Sequence, residues 1–223
     1  MECACTLSRR RLLPMPTTRT PPSFAPATRY DRVAVALHWL LALLLFTSFC
    51  VGVYMADLPL SPTRVRLFNW HKWAGITILA LSFRRLAWRL AHPPPPELPM
   101  RPWQRRSAWL THRAMYVLFF AVPLVGWAYS SATGFQVVLF GVLPLPDFVP
   151  KSKPLAEVLE ATHAALAWSL AALVVVHVAG ALKHRFVDRD GLLARMAWAR
   201  RAPAARTAPP RRETARRVSE GRS

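Results

Sequence analysis

The sequence predicts an all-α integral membrane protein built as a four-transmembrane-helix bundle, and three observations predict it. First, 53% of the 223 residues are hydrophobic, yet 30 Lys and Arg stand against 11 Asp and Glu, for a net charge of +19. A soluble globule does not combine these values, whereas a membrane bundle does when apolar and basic residues are segregated along the chain. Second, residues 33–55, 114–132 and 161–182 carry no charged side chain. Each run has about the 20 residues a helix needs to cross the hydrocarbon layer. Third, the basic residues flank these runs in an alternating pattern that fixes how many times the chain crosses.

Residues 1–30, rich in Arg, Pro and Thr, have no periodicity and lack the apolar stretch of a secretory signal. They read as a disordered basic arm, with Met15 an alternative start to Met1. Residues 31–198 read as one membrane domain with spans at about 33–55, 71–90, 110–132 and 160–183, and residues 199–223 as a disordered basic tail. The second span is the one hydropathy leaves open, because residues 73–83 are followed at once by Arg84 and Arg85. Charge decides it. Six basic residues lie in 1–32, seven in 84–113 and twelve from Lys183 onward, leaving Arg64, Arg66, Lys72, Lys151 and Lys153 (6 + 7 + 12 + 5 = 30). Four crossings put the three rich clusters on the cytoplasmic side, where Lys and Arg accumulate; three crossings put the largest of them outside. Both termini are then cytoplasmic. A nucleic-acid partner is excluded on the same ground: the basic residues border apolar runs and suit an anionic leaflet.

Pro123, followed by Gly126, predicts a kink in the third span. The apolar stretch 135–145, broken by Pro144, reads as an interfacial or re-entrant piece on the outer side, and 93–96 as a stiff proline connector. Cys50 lies in an apolar run as a small buried hydrophobe. Cys3 and Cys5 are too few to hold a metal, and no C-x-x-C-H motif for covalent haem attachment is present.

Seven histidines remain: His38, His71, His92, His112, His163, His177 and His184. His92 sits beside the proline run as a loop residue, while the others fall on or at the ends of spans, where an ionisable group is costly and marks function. His38 on span one and His177 on span four share the inner level. His71, opening span two, and His163, near the start of span four, share the outer level. His163 and His177 are fourteen residues apart, so they lie ~40° from one another around the helix and ~21 Å apart along it. One helix face thus offers an imidazole at two depths, each with a partner at its own depth. Haem iron in a bundle takes an axial imidazole from each side, so the pattern predicts two b-type haems stacked across the membrane. A dinuclear metal centre is excluded, since its ions sit ~4 Å apart. Small residues such as Ala74, Gly75, Ala164, Ala165 and Gly180 suit close helix approach and a flat macrocycle.

Taken together, Arg29-Tyr30-Asp31-Arg32 leading to His38-Trp39, Asn69-Trp70-His71-Lys72 followed by Gly75, His112 with Tyr116, Pro123-Leu124-Val125-Gly126, and His163, His177 and His184 before Leu192-Leu193-Ala194-Arg195-Met196 resemble the bacterial cytochrome b561 family. The resemblance spans roughly residues 29–196 and leaves out the arm and the tail. It implies an inner-membrane cytochrome in which His38 and His177 ligate the cytoplasmic-side haem and His71 and His163 the outer-side haem. It also implies superoxide:ubiquinone oxidoreductase activity, or a haem-bearing membrane anchor that relays electrons for a redox partner protein. A haem-free transporter is the third class, and a reduced-minus-oxidised spectrum separates it from both.

Around these ligands, Arg85 and Arg89 are candidates for pairing with haem propionates, or anchors of the inner helix end. His112 and His184 are candidates for donating to a quinone headgroup, or interfacial imidazoles. On the outer side Arg64, Arg66 and Lys72 cluster in sequence near His71. The outer balance is only +5 − 4 = +1 against Asp57, Asp147, Glu157 and Glu160, too small by itself to steer an anion.

Overall fold

The computed structural model describes residues 29–97 and 100–197. The tail from 199, almost all of the arm, and with it Cys3, Cys5 and Met15, lie outside these described residues. Four long helices make up the fold: α1 (Arg32–Ala56), α2 (Pro62–Ala91), α3 (Pro102–Thr133) and α4 (Lys153–Lys183). A π turn (His184–Asp188) and a short 3-10 helix (Leu192–Met196) follow.

Each helix starts where a cap starts it. Asp31 accepts from the Ala34 N–H at 2.9 Å, Ser61 from Arg64 at 3.3 Å and Ser152 from Leu155 at 3.4 Å. Gln104 reaches back to the Arg101 N–H at 3.0 Å, and α2, α3 and α4 carry proline in their first turn. These helices therefore begin before the predicted spans do: α2 by nine residues (71 − 62), α3 by eight (110 − 102) and α4 by seven (160 − 153). Hydropathy marks where hydrocarbon begins, while caps mark where the helix begins, and the turns between carry Arg64, Arg66, Arg105, Arg106 and Glu157. His71 consequently lies nine residues inside α2 rather than opening it.

α1 packs on α2, α2 on α3 and α3 on α4, while α1 and α4 stand further apart. That gap is bridged by the T-shaped Phe49–Trp168 contact at 5.0 Å between ring centroids. Toward Ala56 it opens into a pocket of about 510 Å³ lined by Phe49, Cys50, Val53, Tyr54, Leu58 and Trp168 among others, and Cys50 is exposed there rather than buried as expected. Midway along the bundle Met115, Phe119 and Leu170 form an apolar layer, with Leu45, Val122 and Leu173 packed on it. Leu170 is seven residues from both His163 and His177, so this layer separates the two histidine levels. Only Ala156 and Leu170 of α4 are buried, while Leu43 and Phe46 of α1, Val117 of α3 and Val175 of α4 point outward. Apolar side chains on the outside are what a lipid-facing bundle needs. By length and composition α1, α3 and α4 are apolar enough to cross a membrane. The 30-residue α2, with arginines at both ends, falls outside that criterion and packs between α1 and α3.

The stretch read as interfacial or re-entrant is a small antiparallel hairpin, β1 (Val138–Leu139) with β2 (Leu143–Pro144), paired Val138 to Pro144 and Leu139 to Leu143. Phe140 and Gly141 turn it with φ of 52° and 75°. It folds back on α2: Lys72 Nζ donates to the Phe135 carbonyl at 2.9 Å and Trp73 Nε1 to the Val138 carbonyl at 2.6 Å. Ser130 also donates to the Phe135 carbonyl, and the Ser152 N–H to that of Ala132 at 3.0 Å. At the opposite end of the bundle, the one expected to be inner, Trp88 Nε1 donates to Asp31, Trp39 Nε1 to the Met196 carbonyl at 2.9 Å, and Arg195 to that of Pro96 at 2.6 Å. Both ends of the bundle are thus tied by side chains to the connecting segments.

Gly134 ends α3 with φ 78°, the left-handed conformation that costs a β-branched residue about 1–2 kcal/mol, and its Cα faces the Lys151 side chain. Gly134→Val is expected to lower the thermal unfolding midpoint of the detergent-solubilised protein, while Gly134→Asn, which tolerates that conformation, stays near wild type. Equal midpoints for Val and wild type would contradict this account of the α3 terminus.

Candidate functional site

His71 and His163 are each set in a slot on a neighbouring helix, and the two slots are built alike. The His71 Nδ1 lies 3.0 Å from the Ser48 carbonyl and 3.2 Å from the Ser48 hydroxyl of α1. Four residues on, a Cβ at Gly52 would come within 3.1 Å of the His71 ring. The His163 Nδ1 lies 3.0 Å from the Val122 carbonyl of α3, and a Cβ at Gly126, again four residues on, would meet the His163 ring at 2.9 Å. A carbonyl has no proton to give, so each Nδ1 carries the hydrogen and donates it. That tautomer leaves the Nε2 lone pair free. The two rings stand edge to face with centroids 6.0 Å apart.

The second level, at the Asp31 end of the bundle and expected from charge to be the inner one, is arranged differently. His38 of α1 and His177 of α4 have ring centroids 6.3 Å apart across the α1–α4 gap. The His38 Nδ1 is buried without a hydrogen-bond partner. Trp39 packs edge-on against His38 at 5.3 Å, and His112 of α3 lies against the other side of His177 at 5.1 Å. Arg85 is close enough for its charge to act on His38, His112 and His177, and it lies over Tyr116 at 5.9 Å. Arg89 reaches His112 alone among these rings.

The arrangement fits haem at both levels on its own geometry. Imidazole–metal bonds of about 2.0 Å on each side of one ion set the two ring centroids roughly 6 Å apart, and the pairs stand at 6.0 and 6.3 Å. A Cβ at Gly75, one turn from His71, or at Gly180, one turn from His177, would meet open space. These two glycines do not mediate the close helix contact expected from sequence; they leave open space one turn from the rings.

Other expectations are redistributed. His92 is the C-terminal cap of α2, stacked on Trp88 at 4.0 Å. His112 meets the inner pair, its Nδ1 held by the Ala108 carbonyl at 2.6 Å. His184 does not continue the α4 face, because the helix gives way there to the π turn. Its Nδ1 pairs with Asp190 at 2.6 Å, beside Asp188, in a cavity shared with Met100, Arg101 and Gln104. Burial pushes the Asp190 carboxyl up, but the Leu192 N–H and His184 outweigh it and hold Asp190 below the usual carboxylate range. Lys183 already occupies Asp188 at 2.6 Å. Arg64, Arg66 and Lys72 do not form one cluster: Arg64 lies over Phe68, Arg66 over Trp70, and Lys72 is spent on the Phe135 carbonyl. Successive residues of a helix point ~100° apart, so neighbours in sequence diverge in space.

Ser48 and Gly52 were not singled out by sequence reasoning, and Gly126 was read only as part of a kink. The available signal was a glycine inside an apolar helix, four residues after the carbonyl that a histidine needs.

The sequence pattern of the family described as prokaryotic cytochrome b561 matches residues 29–199. The chain is 35% identical over 170 residues to cytochrome b561 homolog 2 of Escherichia coli K12, covering 75% of this chain and 90% of the relative. It is 29% identical over 172 residues to cytochrome b561 homolog 1 of the same organism, covering 75% and 96%. It is also 29% identical over 174 residues to a probable superoxide oxidase CybB of Yersinia pestis, covering 75% and 95%. The match across the whole helical body makes this chain a member of the prokaryotic cytochrome b561 family, membrane helical-bundle proteins that bind haem b and transfer electrons.

Proposed function

We propose that the chain is a four-span, di-haem cytochrome b of the bacterial inner membrane, with both termini cytoplasmic. In this reading it takes electrons from superoxide at the outer face and gives them to ubiquinone near the inner face. The observation that carries the reading is the pair of facing imidazoles at each end of α4, with centroids 6.0 and 6.3 Å apart. His71 and His163 are assigned to the outer haem, His38 and His177 to the inner one. The relative described as a probable superoxide oxidase supports the choice of donor.

Bound haem supplies a one-electron ferric/ferrous couple at each level. The chain supplies the rest. The Ser48 and Val122 carbonyls hold the Nδ1 protons of His71 and His163 and so keep each Nε2 available as a ligand. The layer of Met115, Phe119 and Leu170 keeps water from the space between the levels. Two superoxide ions lose one electron each and leave as dioxygen; one quinone takes two electrons and two protons and becomes quinol. The His112 Nδ1–H is held by the Ala108 carbonyl, so Nε2 carries a lone pair that can take up a proton and pass it to the acceptor beside the inner pair. His184, backed by Asp190, is the imidazole through which protons arrive from the cytoplasmic side. Arg85 and Arg89 hold anionic groups at the inner level.

Three outcomes test this. His71→Ala and His163→Ala should each lose the same haem and halve the haem-to-protein ratio, and Gly52→Val or Gly126→Val should imitate them by displacing the ring. His38→Ala and His177→Ala should lose the other haem. If His38→Ala and His71→Ala removed one common haem in redox titrations, the pairing would be wrong. A reporter fused after Met196 should read as cytoplasmic, and a periplasmic reading would reverse inner and outer. Purified chain carrying both haems should reduce quinone faster when superoxide is supplied; no acceleration would leave the partner-fed electron relay as the function.

A further inference from the structure

On the outer side of the His71–His163 pair lies a cation without a counter-ion. Arg64 precedes His71 by seven residues, so it stands ~20° away around α2 and ~10 Å toward the outer end. It is half-buried, while Arg66, pointing the other way, is exposed on Trp70. The Arg64 guanidinium is held from two directions: it lies over the Phe68 ring at 5.5 Å, and Nη2 donates to the Ala56 carbonyl at 3.5 Å. Its Nε is buried and has no hydrogen-bond partner. No carboxylate among the described residues forms an ion pair with Arg64. Glu160 of α4 is nearby but stands against Tyr129 of α3.

A buried guanidinium N–H with no acceptor costs on the order of 1–3 kcal/mol, and more when the group is charged. Arg64 is preset by the Phe68 ring and the Ala56 carbonyl, so its unpaired edge marks where an anion belongs. The position is in line with a proposed haem ligand, one helix face and two turns outward. Carboxylate is the anionic chemistry that haem carries, and arginine is the side chain that grips carboxylate in two-pronged fashion.

We infer that Arg64 is the carboxylate clasp of the outer haem, binding a propionate of the group held by His71 and His163. This rests on the two-haem reading above. A fixed positive charge beside an iron that gains an electron stabilises the reduced form, so Arg64 also raises the potential of that haem.

The test uses the purified full-length holoprotein and its Arg64→Gln and Arg64→Lys variants in spectroscopic redox titrations. Arg64→Gln should shift the midpoint of the haem lost in His71→Ala to lower potential and leave the other haem unmoved; Arg64→Lys, which keeps the charge, should lie between it and wild type. In addition, full-length chain produced without haem is reconstituted with haem b or with its dimethyl ester. Wild type should take the ester at the outer site about tenfold more weakly, the cost of one charge-assisted hydrogen bond, and Arg64→Gln should bind both alike. Wild type that accepts ester and acid equally overturns the clasp and leaves a small anion from solvent as the partner of Arg64, as does an unmoved potential in Arg64→Gln. A chain with no six-coordinate haem overturns the two-haem reading itself, whereas a six-coordinate outer haem indifferent to Arg64 overturns this inference alone.

Discussion

The hydrogen bond from a histidine Nδ1 to a backbone carbonyl of the neighbouring helix is the interaction on which the rest of this bundle depends. An imidazole away from water must satisfy one nitrogen and commit the other. His71 does so against Ser48 of α1, and His163 against Val122 of α3. Each bond requires the two backbones to come close, and the glycine four residues on, Gly52 or Gly126, removes the Cβ that would prevent it. The two helix pairs stitched this way, α1 with α2 and α3 with α4, are also the two most extensively packed pairs of the fold. The bundle is thus two hairpins, each locking one imidazole of this pair inside itself with its Nε2 uncommitted. The 6.0 Å spacing of the facing rings follows from how the hairpins meet.

Charge sets the second constraint. The helices run on past the apolar runs into turns that carry Arg, Lys and Glu, and those turns tie down the connections. Lys72 and Trp73 hold the outer hairpin, and Asp31, Trp39 and Arg195 bind the inner segments. In Asp31 burial pushes the carboxyl up, but the Ala34 N–H and the Trp88 indole N–H more than offset it and hold it below the usual range. Asp31 therefore stays ionised through neutral pH, and its cap and its clasp on Trp88 are fully present above the unfolded carboxylate pKa and fade only as pH falls through the lowered one.

Much of this was legible in the sequence. Apolar run length and the alternation of basic clusters pointed to helices in membrane order, and the fourteen-residue spacing of His163 and His177 pointed to one helix face with two levels. Pairing by depth, His38 with His177 and His71 with His163, is where the rings stand in space. What the sequence hid was set by local chemistry rather than hydropathy. Ser61 and Ser152 start α2 and α4 well before the apolar residues do, so His71 is interior rather than terminal. Arg64, Arg66 and Lys72 look like one patch in a string of letters, yet the helix turns them toward Phe68, Trp70 and the Phe135 carbonyl. The π turn that moves His184 off the α4 face has no hydrophobic signature at all. The slots at Gly52 and Gly126 depend on which carbonyl faces which ring, and no linear pattern states that.

The two levels differ in kind, and the difference has a consequence for chemistry. Both outer imidazoles are fixed by backbone carbonyls, groups that neither titrate nor move with side-chain rotation. The inner pair has no such anchor among the described residues: the His38 Nδ1 is unpartnered, and the surroundings are side chains, namely Trp39, His112 and Arg85. A site framed by backbone presents the same geometry at every protonation state, which suits exchange of electrons alone. A site that sets imidazoles beside a fixed guanidinium charge can gain, lose and relay protons through the imidazoles, which suits an acceptor whose reduction consumes them. On the proposed reading, quinone chemistry therefore belongs at the inner level, and the direction of electron movement follows from which end of α4 is built of rigid acceptors and which of titratable donors.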